Sequence, residues 1–133
     1  MPGLHSDRIV SRLRKVVLVI DDDPVARMTV RTILEDEGYS VTCAEDGRRG
    51  LAVFRKLRPD LVVTDIIMPE KEGIETILEL RSIWPKGPII AISGGGRTGT
   101  TDYLRLAQGM GANAVLMKPF EPAELASCIR ACQ

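Results

Sequence analysis

The chain has a single histidine, no net charge, no long apolar run and no paired-cysteine motif, and each absence removes a class of function. Lysine plus arginine number 18, aspartate plus glutamate number 18, and the formal net charge over 133 residues is zero. That balance excludes bulk electrostatic capture of nucleic acid or of an anionic membrane. No apolar stretch approaches the ~20 residues of a membrane-spanning helix, and the N-terminus lacks the apolar core of a secretory signal. The cysteines, Cys43, Cys128 and Cys132, are odd in number and form no C-x-x-C, so neither a disulfide framework nor a zinc site is expected. Cys128 and Cys132, four residues apart, read as small apolar groups on the core-facing stripe of a helix. A reducing, cytoplasmic setting fits. His5, in the N-terminal segment, is a poor candidate for a phosphate carrier or metal ligand.

What is present is more specific. Two apolar runs break off at aspartate: Val16-Val17-Leu18-Val19-Ile20 meets Asp21-Asp22-Asp23-Pro24, and Leu61-Val62-Val63-Thr64 meets Asp65. Runs of consecutive apolar, mostly β-branched residues read as strands buried on both faces. The length suggests one domain, with residues 1–14 as a tail and 15–133 as the folded unit. Strands are expected at Lys15–Ile20, Ser40–Cys43, Leu61–Thr64, Pro88–Ile92 and Asn113–Met117. Helices are expected at Pro24–Glu37, Asp46–Leu57, from the end of a Pro69–Gly73 loop to Trp84, Thr100–Met110 and Glu121–Cys132. Asp23 is the expected N-cap of the first helix, with Pro24 in its first turn. Val25, Met28, Ile33 and Leu34 are expected on its inner face, and Ile74, Ile77 and Leu78 on that of the third helix. Alternating strands and helices of this length imply an α/β, doubly wound (βα)5 sandwich with a parallel sheet.

In such sheets ligands sit outside the carboxyl ends of the strands. Asp21, Asp22 and Asp23 follow the first strand, Asp65 the third, Ser93 the fourth, and Lys118-Pro119 the fifth. In a sheet of order 2-1-3-4-5, those strands are contiguous and the groups share one rim. Clustered carboxylates repel, and a hard divalent cation such as Mg²⁺ offsets the repulsion. A carboxylate beside the ion can act as nucleophile and form an acyl phosphate, while metal and lysine stabilise the transferring phosphoryl charge. A hydroxyl at Ser93 can hydrogen-bond a phosphoryl oxygen.

These motifs resemble the receiver domain of two-component response regulators. They are Val-Leu-Val-Ile-Asp21-Asp22-Asp23-Pro24, then Pro59-Asp60 through Asp65-Ile-Ile-Met68-Pro69 with Gly73, then Pro88 to Ser93, then Gly111-Ala112-Asn113 leading to Lys118-Pro119-Phe120. The resemblance implies a flavodoxin-like fold and phosphorylation of Asp65. Mg²⁺ would be held by Asp21, Asp22, Asp65 and the backbone carbonyl of Ile67, with Asp22 the direct ligand of the acidic pair. Ser93 would be the switch hydroxyl and Lys118 the partner of the phosphoryl group. The donor would be a sensor histidine kinase or a phosphotransfer protein. A downstream protein would be engaged through the face of the fourth helix, fifth strand and fifth helix, with no direct nucleic-acid or membrane partner. Such a chain is not an enzyme: it catalyses only its own phosphotransfer and dephosphorylation. The alternatives are a pseudo-receiver that only scaffolds a partner and an aspartyl-phosphate phosphohydrolase, the latter disfavoured because Ile67 stands where that class has a second aspartate.

Three positions depart from the resemblance. Val115 replaces an aromatic residue whose ring turns inward on activation. Gly94-Gly95-Gly96-Arg97-Thr98-Gly99 is expected to be a mobile loop after the fourth strand, and no Gly-Lys-Ser/Thr makes it a nucleotide loop. Ile67, apolar and two residues past the acceptor, is expected to restrict attacking water and lengthen the acyl phosphate lifetime.

Overall fold

Consecutive residues of a strand point to opposite faces, so an apolar run without polar members needs cover on both sides. The structure, a computed structural model, describes residues 14–66, 72–94 and 100–132. In chain order these form β1 (Val16–Ile20), α1 (Pro24–Asp36), β2 (Ser40–Ala44), α2 (Gly47–Leu57), β3 (Leu61–Asp65), α3 (Glu72–Ile83), β4 (Ile89–Gly94), α4 (Thr100–Gly109), β5 (Ala114–Lys118) and α5 (Pro122–Cys132). The strands make one parallel five-stranded sheet of order β2-β1-β3-β4-β5, the order expected from sequence.

The two-sided cover is visible residue by residue. Leu18, Ile20, Val62, Ile89 and Ala91 point to one face, where Leu51, Phe54, Ile77, Leu80 and Ala107 of α2, α3 and α4 cover them. Val17, Val19, Val63, Ile90 and Ile92 point to the other, under Val30 and Leu34 of α1 and Leu125 and Ile129 of α5. Each of these valine, leucine, isoleucine and phenylalanine side chains contributes about 1.5–3 kcal/mol on burial. Among the described residues no helix is long and apolar enough to cross a membrane.

Local chemistry sets the helix ends. Asp23 caps α1, its Oδ1 accepting from the Val25 amide at 2.9 Å. Asp46 caps α2 through the Arg49 amide at 2.7 Å. At the opposite end of the sheet from the strand carboxyl termini, all five N–H groups of Arg81 are spent on neutral oxygens. They go to the carbonyls of Trp84, Gly87 and Gly111 and to Oδ1 of Asn113.

The inner faces of two helices differ from the sequence expectation. Val25 and Met28 are 72% and 61% exposed, and the sheet-facing positions of α1 are Val30 and Leu34. At about 100° per residue, Val25 and Met28 fall on the side of the helix away from Val30. Leu78 is 47% exposed for the same reason, with Ile77 and Leu80 turned inward. Asp65, Ser93 and Lys118 close their strands from within, because the ladder runs one or two residues further than the apolar runs. Residues 1–13 of the tail, the Ile67 carbonyl, Met68, Pro69 and residues 95–99 of the glycine loop lie outside the described residues, while Gly94, expected in that loop, ends β4.

Gly73, in the first turn of α3, packs against the backbone of the β3 end. A Cβ there would lie 2.4 Å from Ile66 Cα, 2.5 Å from Ile66 O and 2.6 Å from Asp65 O. Backbone cannot swing aside as a side chain can. We expect Gly73→Ala to cost about 1–3 kcal/mol of stability. Gly109→Ala, which meets nothing within 4 Å, should be neutral or slightly stabilising. Urea denaturation of both variants checks this; a Gly73→Ala protein as stable as the parent contradicts the close approach.

Candidate functional site

Four strands deliver polar groups to one rim. Asp21 lies one residue past the Ile20–Thr64 register pair of β1 and β3, and Asp65 ends β3. Ser93 and Lys118 come from β4 and β5, whose ladder pairs Ser93 with Met117 and Gly94 with Lys118. Asp21, Asp65 and Ser93 are buried, at 2%, 5% and 0% exposure, while Asp22 is exposed.

Lys118 joins two of the carboxylates. Its Nζ donates to Asp21 Oδ2 at 3.0 Å and to Asp65 Oδ2 at 3.1 Å. The second oxygen of Asp21 accepts from the Asp23 amide at 2.9 Å, which folds the acidic turn back on itself. Asp21 also donates its own amide to Ala44 O at 3.1 Å, and its carbonyl accepts from Arg27 Nη1 at 2.7 Å. Thr64 is buried and donates Oγ1 to the Asp65 carbonyl at 3.1 Å. The peptide between Lys118 and Pro119 is cis.

Burial alone would lower the Lys118 ammonium, but Asp65 and then Asp21 outweigh it and hold its pKa above the ordinary lysine value. The lysine is therefore fully charged at neutral pH and serves as a fixed cation. Even so, the site remains acid-rich. Asp21, Asp22 and Asp65 each offer a carboxylate oxygen, all within 4.8 Å of one another. Ser93 Oγ is buried without a hydrogen-bond partner among the described residues, an arrangement that costs about 1–3 kcal/mol unless a ligand satisfies it. Oxygen-only donors and a surplus of negative charge suit a hard divalent cation. The orphaned hydroxyl suits an oxyanion beside that cation. The residues present thus fit both a magnesium ion and a phosphoryl group.

All five site side chains read from the sequence, Asp21, Asp22, Asp65, Ser93 and Lys118, fall on this rim. Asp23 is a cap, as expected. Val115 is half-buried against the α2–α3–α4 side of the core. The sequence reading did not find Arg27 or Thr64. The cysteines are free and half-buried, and burial raises the pKa of all three thiols, against the pull of Arg31 and Arg27 at Cys43, so they stay protonated and away from the chemistry.

Residues 17–130 match the family described as the response regulator receiver domain. The DNA-binding response regulator MtrA of Mycolicibacterium smegmatis is 37% identical over 120 residues, covering 90% of this chain and 50% of that protein. The chain thus spans about half the length of the curated relatives of this kind that it matches. Among solved structures, the chemotaxis protein CheY4 of Vibrio cholerae superposes with a TM-score of 0.80 at 30% identity, covering 90% of this chain and 99% of that one. The receiver domain of NtrX from Brucella abortus gives 0.81 at 30% identity, covering 87% and 96%.

Removing the shared cation leaves two buried carboxylates facing each other. Lys118→Met is expected to lose about 3 kcal/mol in metal-free buffer and to recover part of it with millimolar magnesium. Because the folded pKa of Lys118 is raised, its stabilisation is complete below the ordinary lysine value of about 10.4. That stabilisation is lost as pH rises through the folded value. The parent should therefore lose stability above that pH more steeply than Lys118→Met, which denaturant titrations across the alkaline range will read.

Proposed function

Because the chain belongs to the response regulator receiver domain family, we propose that it is a phosphorylation-switched signalling domain. It accepts a phosphoryl group on Asp65 from a phosphohistidine of a sensor kinase or phosphotransfer protein, with Mg²⁺ as cofactor. The observation that carries this reading is the convergence of three carboxylates within 4.8 Å, two of them held by one lysine. Asp21, Asp22 and Asp65 would hold the ion, together with the Ile67 carbonyl. When bound, the ion supplies neutralisation of charge on the transferring phosphoryl oxygens.

This chain's own residues do the rest. A carboxylate oxygen of Asp65 attacks phosphorus, the donor's phosphorus–nitrogen bond breaks, and the imidazole nitrogen keeps the electron pair and takes a proton. Lys118, already beside Asp65, pairs with a phosphoryl oxygen as negative charge builds there. Ser93 Oγ donates to another phosphoryl oxygen and so gains the partner it lacks among the described residues. Phosphorylation adds about −1.5 to −2 charge, which Lys118 and Ser93 convert into a local rearrangement at the ends of β4 and β5.

The donor's approach has a surface to use. An apolar groove of about 300 Å³, lined by Val25, Ala26, Thr29, Val30, Pro119 and Phe120, opens beside Lys118. Val25 and Met28 stand exposed on the same helix. The output face of α4, β5 and α5 carries exposed Leu106 and Met117, apolar groups available to a downstream protein.

Incubation with acetyl phosphate and magnesium should add one phosphoryl group by intact-mass measurement. Asp65→Asn should abolish the addition; an unchanged mass gain in that variant places the acceptor elsewhere. Met28→Ser should slow transfer from the cognate phosphohistidine protein about tenfold, equivalent to ~1.4 kcal/mol of lost docking. The acetyl phosphate reaction, which needs no docking, should keep its rate in that variant.

A further inference from the structure

Arg27 lies in the second turn of α1 and reaches back along the chain. Its Nη1 donates to the backbone carbonyl of Asp21 at 2.7 Å. Among the described residues it makes no ion pair, although Glu45 lines the same cleft. The carbonyl it holds belongs to the peptide that joins Asp21 to Asp22. The neighbours of that peptide are already fixed. The Asp21 amide is bound to Ala44 O at 3.1 Å, Asp21 Oδ1 holds the Asp23 amide at 2.9 Å, and Asp23 Oδ1 holds the Val25 amide at 2.9 Å. Asp22 sits between them, exposed, and its carboxylate has no hydrogen bond among the described residues. Its direction therefore depends on the peptide planes on either side.

We propose that Arg27 is a positioning residue for the cation site: by holding the Asp21 carbonyl it fixes the peptide plane from which the Asp22 carboxylate projects. The inference rests on the reading of Asp21, Asp22 and Asp65 as a magnesium site. Charge makes its test specific in sign. Arg27 places a cation against the backbone of the acidic turn, so electrostatics alone makes its removal tighten magnesium binding. Positioning makes its removal weaken binding, because outer partners of ligand groups are typically worth about 10–100-fold in metal affinity.

The experiment titrates magnesium chloride into the whole chain, followed by calorimetry and by backbone amide shifts. Arg27→Ala should bind magnesium about tenfold more weakly than the parent. Arg27→Lys, which restores one donor, should fall between them. Arg31→Ala removes the same charge one turn further along α1, from the pair with Glu35, and should not weaken binding. Without metal, the Asp22 and Asp23 amides should shift or broaden in Arg27→Ala and keep their positions in Arg31→Ala. Equal or tighter magnesium binding by Arg27→Ala overturns the proposal. Should that variant fail to fold, Arg27→Lys and Arg27→Gln carry the same comparison. A parent that ignores magnesium, or an Asp22→Asn variant that binds as well as the parent, overturns the cation-site reading instead. The metal-free amide shifts then decide by themselves whether Arg27 holds the turn.

Discussion

The ammonium group of Lys118, seated between Asp21 and Asp65, is the interaction on which the site depends. It spans 97 residues to one partner and 53 to the other. It ties the ends of β1, β3 and β5 into one electrostatic unit. Two buried carboxylates beside each other raise the free energy of any fold that contains them, and a single lysine only partly offsets this. The remaining negative charge is of the kind that a hard divalent cation offsets. The Ser93 hydroxyl on the same rim has no hydrogen-bond partner among the described residues. Like charge and, among the described residues, an unsatisfied hydroxyl both cost stability at this rim.

The sheet makes that arrangement possible. A parallel sheet with both faces covered aligns all strand carboxyl ends on one side, and the 2-1-3-4-5 order sets β1, β3, β4 and β5 side by side. Two apolar clusters hold the sheet from opposite faces, so the rim groups stand on rigid elements. The tight packing extends to the turn after β3, where Gly73 leaves no room for a side chain against the Asp65–Ile66 backbone. The site's side chains are thus carried at the ends of strands packed on both faces.

Much of this was legible in the sequence because strong local signals agree with the global fold. Apolar runs located β1, β3, β4 and β5, and the aspartates, serine and lysine at their ends lie on one rim of the sheet. Helix faces were less legible. Val25 and Met28 look like core residues by composition, yet the sheet accepts Val30 and Leu34 and leaves the other pair exposed. Arg27 carried no sequence signal, since its partner is a backbone carbonyl and any residue supplies one. Thr64 was hidden in the same way, its hydroxyl reading as one more β-branched strand residue.

By itself the sequence determined the identity and spacing of the chemical groups: which strands exist, where each stops, and which carboxylates, hydroxyl and amine stand at their ends. Those features are local, fixed by period, capping and side-chain type. Only the tertiary structure decided which of two acidic neighbours is buried and which exposed. Asp21 turns inward to Lys118 while Asp22 stays at the surface, and no local rule distinguishes two consecutive aspartates. It also decided that Lys118 serves both Asp21 and Asp65, that Ser93 Oγ is left without a partner among the described residues, and that Arg27 reaches back to the acidic turn. These are distances between segments far apart in the chain or around a helix, and they exist only once the sheet order and its register have brought those segments together.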